Sequence, residues 1–152
     1  MERTLVLIKP DGIQRGLTGE IISRLERTGL KIIAMKMIQM DESLAKRHYS
    51  IHQGKPFFVG LIKYITSCPI VAVVLEGRKA VEVARKVMGS TDSAAAPAGT
   101  IRGDLGIDMG RNLVHGSDAP ASAEKEIGLF FAPGELRNYS RDIDKWITES
   151  AG

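Results

Sequence analysis

The spacing of apolar residues changes repeatedly along this chain, and the changes mark out its elements. Thr4 to Lys9 is β-rich and apolar up to its lysine, and Pro10-Asp11-Gly12 supplies turn chemistry that stops it. From Leu17 to Thr28, the positions Leu17, Ile21 and Leu25 recur on one helical face, with Glu20, Arg24 and Arg27 elsewhere and Gly29 as the stop. Leu30 to Met40 reads as a long strand with apolar residues on both faces, one of which is expected to meet another subunit. Asp41 caps a short helix through about Tyr49, and Phe57 to Thr66 forms another. Ile70 to Leu75 is a buried strand between Pro69 and Gly77. Lys79 to Met88 is a helix with Ala80, Ala84, Val87 and Met88 inward, closed by Gly89. Ser90 to Arg111 shows no sustained period and reads as one long functional loop. Leu113 and Val114 then form a very short buried strand with His115 at its end. Ser117 and Asp118 are helix-start residues, Pro120 suits a first turn, and Ser122 to Phe131 is helical.

The order strand-helix-strand, helices, strand-helix-strand is that of a split βαβ unit. It predicts an α+β fold, a ferredoxin-like α/β sandwich (βαββαβ): a four-stranded antiparallel sheet with helices on one face. At 152 residues, without repeat or linker, residues 1–152 are expected to form a single domain. An apolar content of 43% with 26% charged residues suits a soluble globular protein. The one cysteine, Cys68, excludes an internal disulfide and points to a reducing compartment. No secretory leader pattern or bilayer-length apolar run is present, so a cytoplasmic location is expected and no membrane partner. The formal net charge is +3. That excess suits an anionic ligand and is too small to argue for nucleic acid.

Candidate chemistry centres on His115. Gly116 removes a side chain beside its imidazole, and Glu126, about two turns into the following helix, can fold back over it. A histidine held at one nitrogen by a carboxylate presents the other, unprotonated, as a nucleophile. Lys9 at a strand end, Arg85, Thr91 and Arg102 are the types a polyphosphate needs: guanidinium forks, a point charge and a hydroxyl donor. No Walker A pattern is present to cradle phosphates with backbone. A helix N-terminus offers an exposed anion only about 0.3–1 kcal/mol. One cation at about 4 Å is worth roughly 4 kcal/mol at an effective dielectric near 20, before desolvation. Converging side chains are therefore the expected clamp. His48 and His52 have the i, i+4 spacing of metal ligands, but no third ligand falls into a pattern with them, so no protein-held metal is expected. Tyr49, Phe57 and Phe58 are core rings unless exposed, where a ring becomes a stacking surface for a base.

Several motifs together resemble one family. Asn112-Leu-Val-His115-Gly-Ser117-Asp, followed by Ser122-Ala-Glu-Lys-Glu126-Ile-Gly-Leu-Phe-Phe131, is similar to the active-site signature of nucleoside diphosphate kinases. Thr4-Leu-Val-Leu-Ile-Lys9-Pro-Asp-Gly12, Pro56-Phe57-Phe58 and Gly99-Thr-Ile-Arg102-Gly-Asp104 resemble the same family in the same order. The resemblance implies phosphoryl transfer from a nucleoside triphosphate to a nucleoside diphosphate by a ping-pong route through phospho-His115. It implies that Glu126 bonds the imidazole, that Ser117 supports that contact, and that Tyr49 lies nearby. Arg85, Thr91 and Arg102 would hold phosphates, and Lys9 and Asn112 the sugar hydroxyls and phosphates. Phe57 would stack on the base with Met109 opposite. It further implies Mg2+ held by the nucleotide's phosphates, and a homo-oligomer, a hexamer rather than a tetramer. Ser93 departs from the family, where many members carry proline, as do Pro97-Ala98-Gly99 and Phe130. The alternative is a non-catalytic nucleotide- or RNA-binding module on the same sandwich. It lacks the Arg-Gly-aromatic motif of an RNA-recognition domain, and the strands are nearly free of aromatics.

Overall fold

Strand β1 (Glu2–Ile8) is continuously apolar from Leu5 to Ile8 and β3 (Ile70–Gly77) from Ile70 to Leu75, because both faces of those stretches are covered. The computed structural model describes residues 1–149. Leu5, Leu7, Ala72 and Val74 enter one core with Tyr49, Ile62, Ile65, Ile127, Phe130 and Phe131. The alternate positions Val6, Ile8, Val71, Val73 and Leu75 enter a second core with Ile21, Leu25, Ala84, Met88, Ile101 and Leu113. Helices α3 (Glu42–His48), α4 (Phe58–Ile65) and α7 (Pro120–Phe130) supply the first core. Helices α2 (Thr18–Glu26), α5 (Ala80–Met88) and α6 (Ile101–Leu105) supply the second. Helices thus lie on both faces of the sheet, not one. Continuous apolar runs are what a doubly covered strand requires.

The sheet order is β2-β3-β1-β4, with β2 (Lys31–Ile38) and β4 (Val114–Gly116) at its edges. Every neighbouring pair is antiparallel, which gives the ferredoxin-like α+β arrangement. On β2, Ile33 and Ala34 are buried while Met35 and Met37 stay exposed, so the strand does have a second apolar face.

Three local expectations are corrected. Pro10-Asp11-Gly12 does not merely turn the chain: it opens a short helix, α1 (Pro10–Gln14), whose first residue is proline with its φ preset for helix. The stretch 90–111 is not one irregular loop. It holds a 3-10 turn at Ser93–Ala95 and α6, whose cap Thr100 accepts a hydrogen bond from Gly103 N at 3.0 Å. Five residues are too few to display a period. In α5, Val81 is buried as well as the expected Ala80, Ala84 and Met88, while Val87 packs against the core only partly buried. Finally, Leu113 is not in a strand; β4 begins at Val114 and centres on His115, which pairs with Leu7. Among the described residues no helix is long and apolar enough to cross a membrane.

Candidate active site

The chain enters β4 through a strained turn. Leu113 has φ +72, and Val114 N bonds back to Asn112 O at 2.8 Å, the geometry of the rare γ-turn with positive φ. A leucine there costs about 1–2 kcal/mol, so neighbouring bonds must hold it. Lys9 N donates to Leu113 O at 2.9 Å. Asp11 Oδ2 accepts from Leu113 N at 3.0 Å, while Oδ1 accepts from the Tyr64 hydroxyl. Burial, then this bond to Asp11, pushes the Tyr64 phenol up from its ordinary pKa, which keeps it a donor. The Arg111 guanidinium lies 4.3 Å above the Tyr64 ring. Asp11 is thus the pin of the turn that carries Asn112 and His115 on either side.

Around this turn the basic groups converge. Lys9 Nζ donates to Asn112 Oδ1 at 2.8 Å, and Asn112 Nδ2 donates to Thr91 O at 3.0 Å. Arg102, buried on α6, donates from Nε to Asn112 O (3.2 Å), from one terminal nitrogen to Gly89 O (2.9 Å) and from the other to Val114 O (2.7 Å). Arg85 on α5 reaches Gly116 O at 3.4 Å and is otherwise exposed. The crowding has an electrostatic signature. Burial, then Arg102, lowers Lys9 to about 8, with Asp11 opposing. Burial, then Arg85, lowers Arg102 to about 10. Both remain cations at neutral pH, held ready for an anion by a desolvated surround.

His115 lies on β4 between Val114 and Gly116, whose carbonyls Arg102 and Arg85 bond, and is hydrogen-bonded through Nε2 to Glu126 Oε1 on α7. A carboxylate only accepts, so Nε2 is the donor of this bond and Nδ1 is the ring nitrogen turned away from Glu126. The side chains of His115 and Glu126 are 24% and 14% exposed, open enough for a substrate and dry enough to strengthen the bond between them. Tyr49 is buried nearby, and its phenol is pushed up by burial and then by Glu126. Its hydroxyl has no partner among the described residues. Ser117 departs from the implied support of Glu126: its fully buried hydroxyl bonds Leu5 N at 3.3 Å and Leu5 O at 3.4 Å. It ties the exit of β4 to β1 and so acts on the position of His115 through the strand. Phe57 and Met109 are 53% and 57% exposed, as surfaces for a base would be. Phe57 touches His52 edge-on with ring centroids 5.3 Å apart.

Two participants escaped the sequence reading, Asp11 and Tyr64, and a third, His48, was paired there with His52 and not with His115. The His48 ring lies edge-to-face with that of His115, centroids 4.7 Å apart, and its pKa is lowered to about 3 by burial, then by His115, Lys9 and His52. The local sequence does not mark these roles, because the hydrogen bonds of Asp11 run to Tyr64 and Leu113, 53 and 102 positions away, and His48 meets His115 only through the fold. Two concavities lie elsewhere. One, of about 550 Å³, sits at the opposite end of the sheet beside Leu30, Lys79 and Ile147. The other, of about 420 Å³, lies between α2 and α5. Both are lined with surface charges of mixed sign and neither brings a nucleophile to a base.

Comparison with known proteins agrees with this geometry. The family model described as nucleoside diphosphate kinase matches residues 2–136. The nucleoside diphosphate kinase of Pelotomaculum thermopropionicum is 57% identical over 149 residues, covering 98% of this chain and 100% of that protein. The one from Archaeoglobus fulgidus is 56% identical, with 98% and 99% covered. Among solved structures, a halophilic nucleoside diphosphate kinase from Halobacterium salinarum in complex with CDP superposes with a TM-score of 0.95 at 51% identity, covering 97% of this chain and 99% of that one. Identities this high, sustained over nearly the whole length, mean that the chain belongs to the nucleoside diphosphate kinase family.

Proposed function

We propose that His115 Nδ1 carries a phosphoryl group from a nucleoside triphosphate to a nucleoside diphosphate, over one domain spanning the whole chain. The observation that carries this reading is the Nε2 bond to Glu126, which leaves Nδ1 as the ring nitrogen available to attack phosphorus. In the first half-reaction the Nδ1 lone pair forms a bond to the terminal phosphorus. The bond from phosphorus to the bridging oxygen breaks, and its electron pair leaves with the diphosphate. Nε2–H stays with Glu126, whose charge offsets the positive charge gained by the ring. The second half-reaction runs the same steps backwards onto another diphosphate, so a single clamp serves both. Holding the reactants in line can supply about 7–11 kcal/mol, the main contribution these residues can make.

Lys9, Arg85, Thr91 and Arg102 bind the phosphates in this reading. Arg102 has guanidinium hydrogens beyond the three that meet carbonyls, and those are available to phosphate oxygens. Asn112 and Lys9 take the sugar hydroxyls, and Phe57 with Met109 sandwiches the base. The CDP bound by the Halobacterium relative supports a nucleotide as ligand. The donor set fits a Mg2+ that arrives on the nucleotide: the phosphate-facing side chains are cations, which repel a metal and attract its phosphates. Mg2+ so held neutralises phosphate charge. The binding-module alternative loses its platform, because among the described residues no strand carries Phe, Tyr or Trp and helices cover both faces.

We also propose a cytoplasmic homo-oligomer, a hexamer in preference to a tetramer. Exposed Met35, Met37, Ile107 and Trp146 support association, and light scattering decides its order. The kinetic test is an initial-rate study varying both nucleotides. Parallel double-reciprocal lines are expected; intersecting lines would show a ternary complex and no phosphoenzyme.

A further inference from the structure

Phosphoryl transfer does not account for His48. Both of its ring nitrogens are buried without a hydrogen-bond partner among the described residues. Each unmet bond leaves a buried polar atom desolvated with nothing in return. Packing alone does not explain the residue: its edge contacts with Tyr49, His115 and Phe130 could be made by phenylalanine at no such cost. What phenylalanine lacks is a lone pair.

One ring nitrogen of His48, one of His115 and a carboxylate oxygen of Glu126 lie within 4.8 Å of one another. They come from α3, β4 and α7, so the packing of the first core sets their spacing. Among the described residues no other three histidine, cysteine or acidic side chains gather in this way. Two imidazoles and one carboxylate, with a fourth position open, make a donor set of catalytic zinc sites. Ligand bonds of about 2.0–2.2 Å in a tetrahedron bring donors to roughly 3.4 Å from one another, within reach of small side-chain rotations here. The partial exposure of His115 and Glu126 gives an ion its way in. Nitrogen donors select ions of the zinc class over Mg2+, which prefers oxygen and keeps its water.

We propose that His48, His115 and Glu126 form a capture site for one nitrogen-preferring divalent cation of the zinc class. The ion displaces the proton shared by the imidazole and Glu126, which leaves to solvent, and ligates both groups, so its capture and the phosphorylation of His115 exclude one another. This consequence rests on the phosphohistidine reading above, whereas the binding itself does not. Mg2+ on a nucleotide leaves the site untouched.

The test uses the full chain, stripped of metal with chelator and free of nucleotide. Zn2+ is titrated by calorimetry, and Co2+ is added while its visible absorption is followed. One Zn2+ per chain is expected, with the intense Co2+ bands of a four-coordinate site. His48→Gln and Glu126→Gln should each weaken binding by at least the about 10–100-fold that loss of even an outer support of a zinc ligand causes. A melting curve for each variant confirms that it is folded. Cys68→Ser and His52→Ala should bind as the wild type does. No saturable binding, or equal binding by folded His48→Gln and Glu126→Gln, overturns the site, as does its loss in Cys68→Ser. In parallel, metal-free enzyme is given Mg2+ and labelled triphosphate. Labelling of His115 without zinc binding removes the capture site and leaves the kinase reading intact; zinc binding without labelling does the reverse.

Discussion

Asp11 carries no charge to the substrate in this account, yet its removal should damage both stability and turnover. In Asp11→Ala, Leu113 N loses its acceptor at a completely buried residue, and the Tyr64 hydroxyl loses the other carboxylate oxygen. Bonds to a charged group contribute about 1.5–3 kcal/mol each, so two give about 3–6 kcal/mol. Tyr64 is half-buried and recovers part of its bond from water. The expected net loss is about 2–4 kcal/mol. The released turn should also relax, since its leucine sits at φ +72 only under constraint. Asn112 and His115 would then move, and a shift of about 1 Å at a reacting group can cost roughly 100-fold in rate. Urea unfolding with an unchanged m-value, beside kcat/KM, measures both effects. Tyr64→Phe should lose less, and the double variant should show coupling of about 0.5–3 kcal/mol. An Asp11→Ala protein within about 0.5 kcal/mol of the wild type, turning over normally, would refute the reasoning.

Arg102→Lys keeps the charge but cannot span three carbonyls; leaving two unmet at about 1–3 kcal/mol each should lower the melting temperature clearly and raise KM, and a calorimetric trace matching the wild type would contradict this. Lys9 makes a pH prediction. Its folded pKa of about 8 lies below its ordinary 10.5, so the penalty for folding it charged is fully present below pH 8 and is relieved as pH rises from there. The same step removes the charge that binds phosphate, so kcat/KM should fall above about pH 8 and Lys9→Met should lack that limb; a wild-type profile level to about pH 9.5 would count against it. Ser93→Pro should stabilise the protein by about 0.4–1 kcal/mol. The Ser93 hydroxyl is buried without a partner among the described residues, it opens a 3-10 turn, and Asp92 before it is already extended, as a pre-proline residue must be. A lower melting temperature for that variant would show a clash with Gly106, which packs on the serine.

What could be read from the sequence depended on how far apart the cooperating residues lie. α2 and α5 announce themselves through two or more turns of periodic apolar residues. The five residues of α6 cannot, and the 90–111 stretch looked irregular for that reason. The unbroken apolar run of β3 already implied cover on both faces, although one helical layer was expected. His115 and Glu126 were legible as a pair because a single turn of chain separates strand from helix. Leu113 was not legible as a γ-turn, since leucine has no preference for positive φ and the residue that pins it, Asp11, is 102 positions away. The pairing of His48 with His52 followed from helical spacing. Burial turned His48 instead towards His115 and Glu126. Ser117 sits beside the site as implied but bonds β1, a contact that only the sheet register reveals.

The most direct test is a single turnover with terminally labelled nucleoside triphosphate and Mg2+, no acceptor present, followed by digestion and mapping of the label. One acid-labile phosphate per active chain, attached to His115, discharged by added diphosphate and absent from His115→Ala, is the predicted result. Equal acid-labile label on the His115→Ala protein, or none on the wild type while transfer between nucleotides continues, would contradict the account.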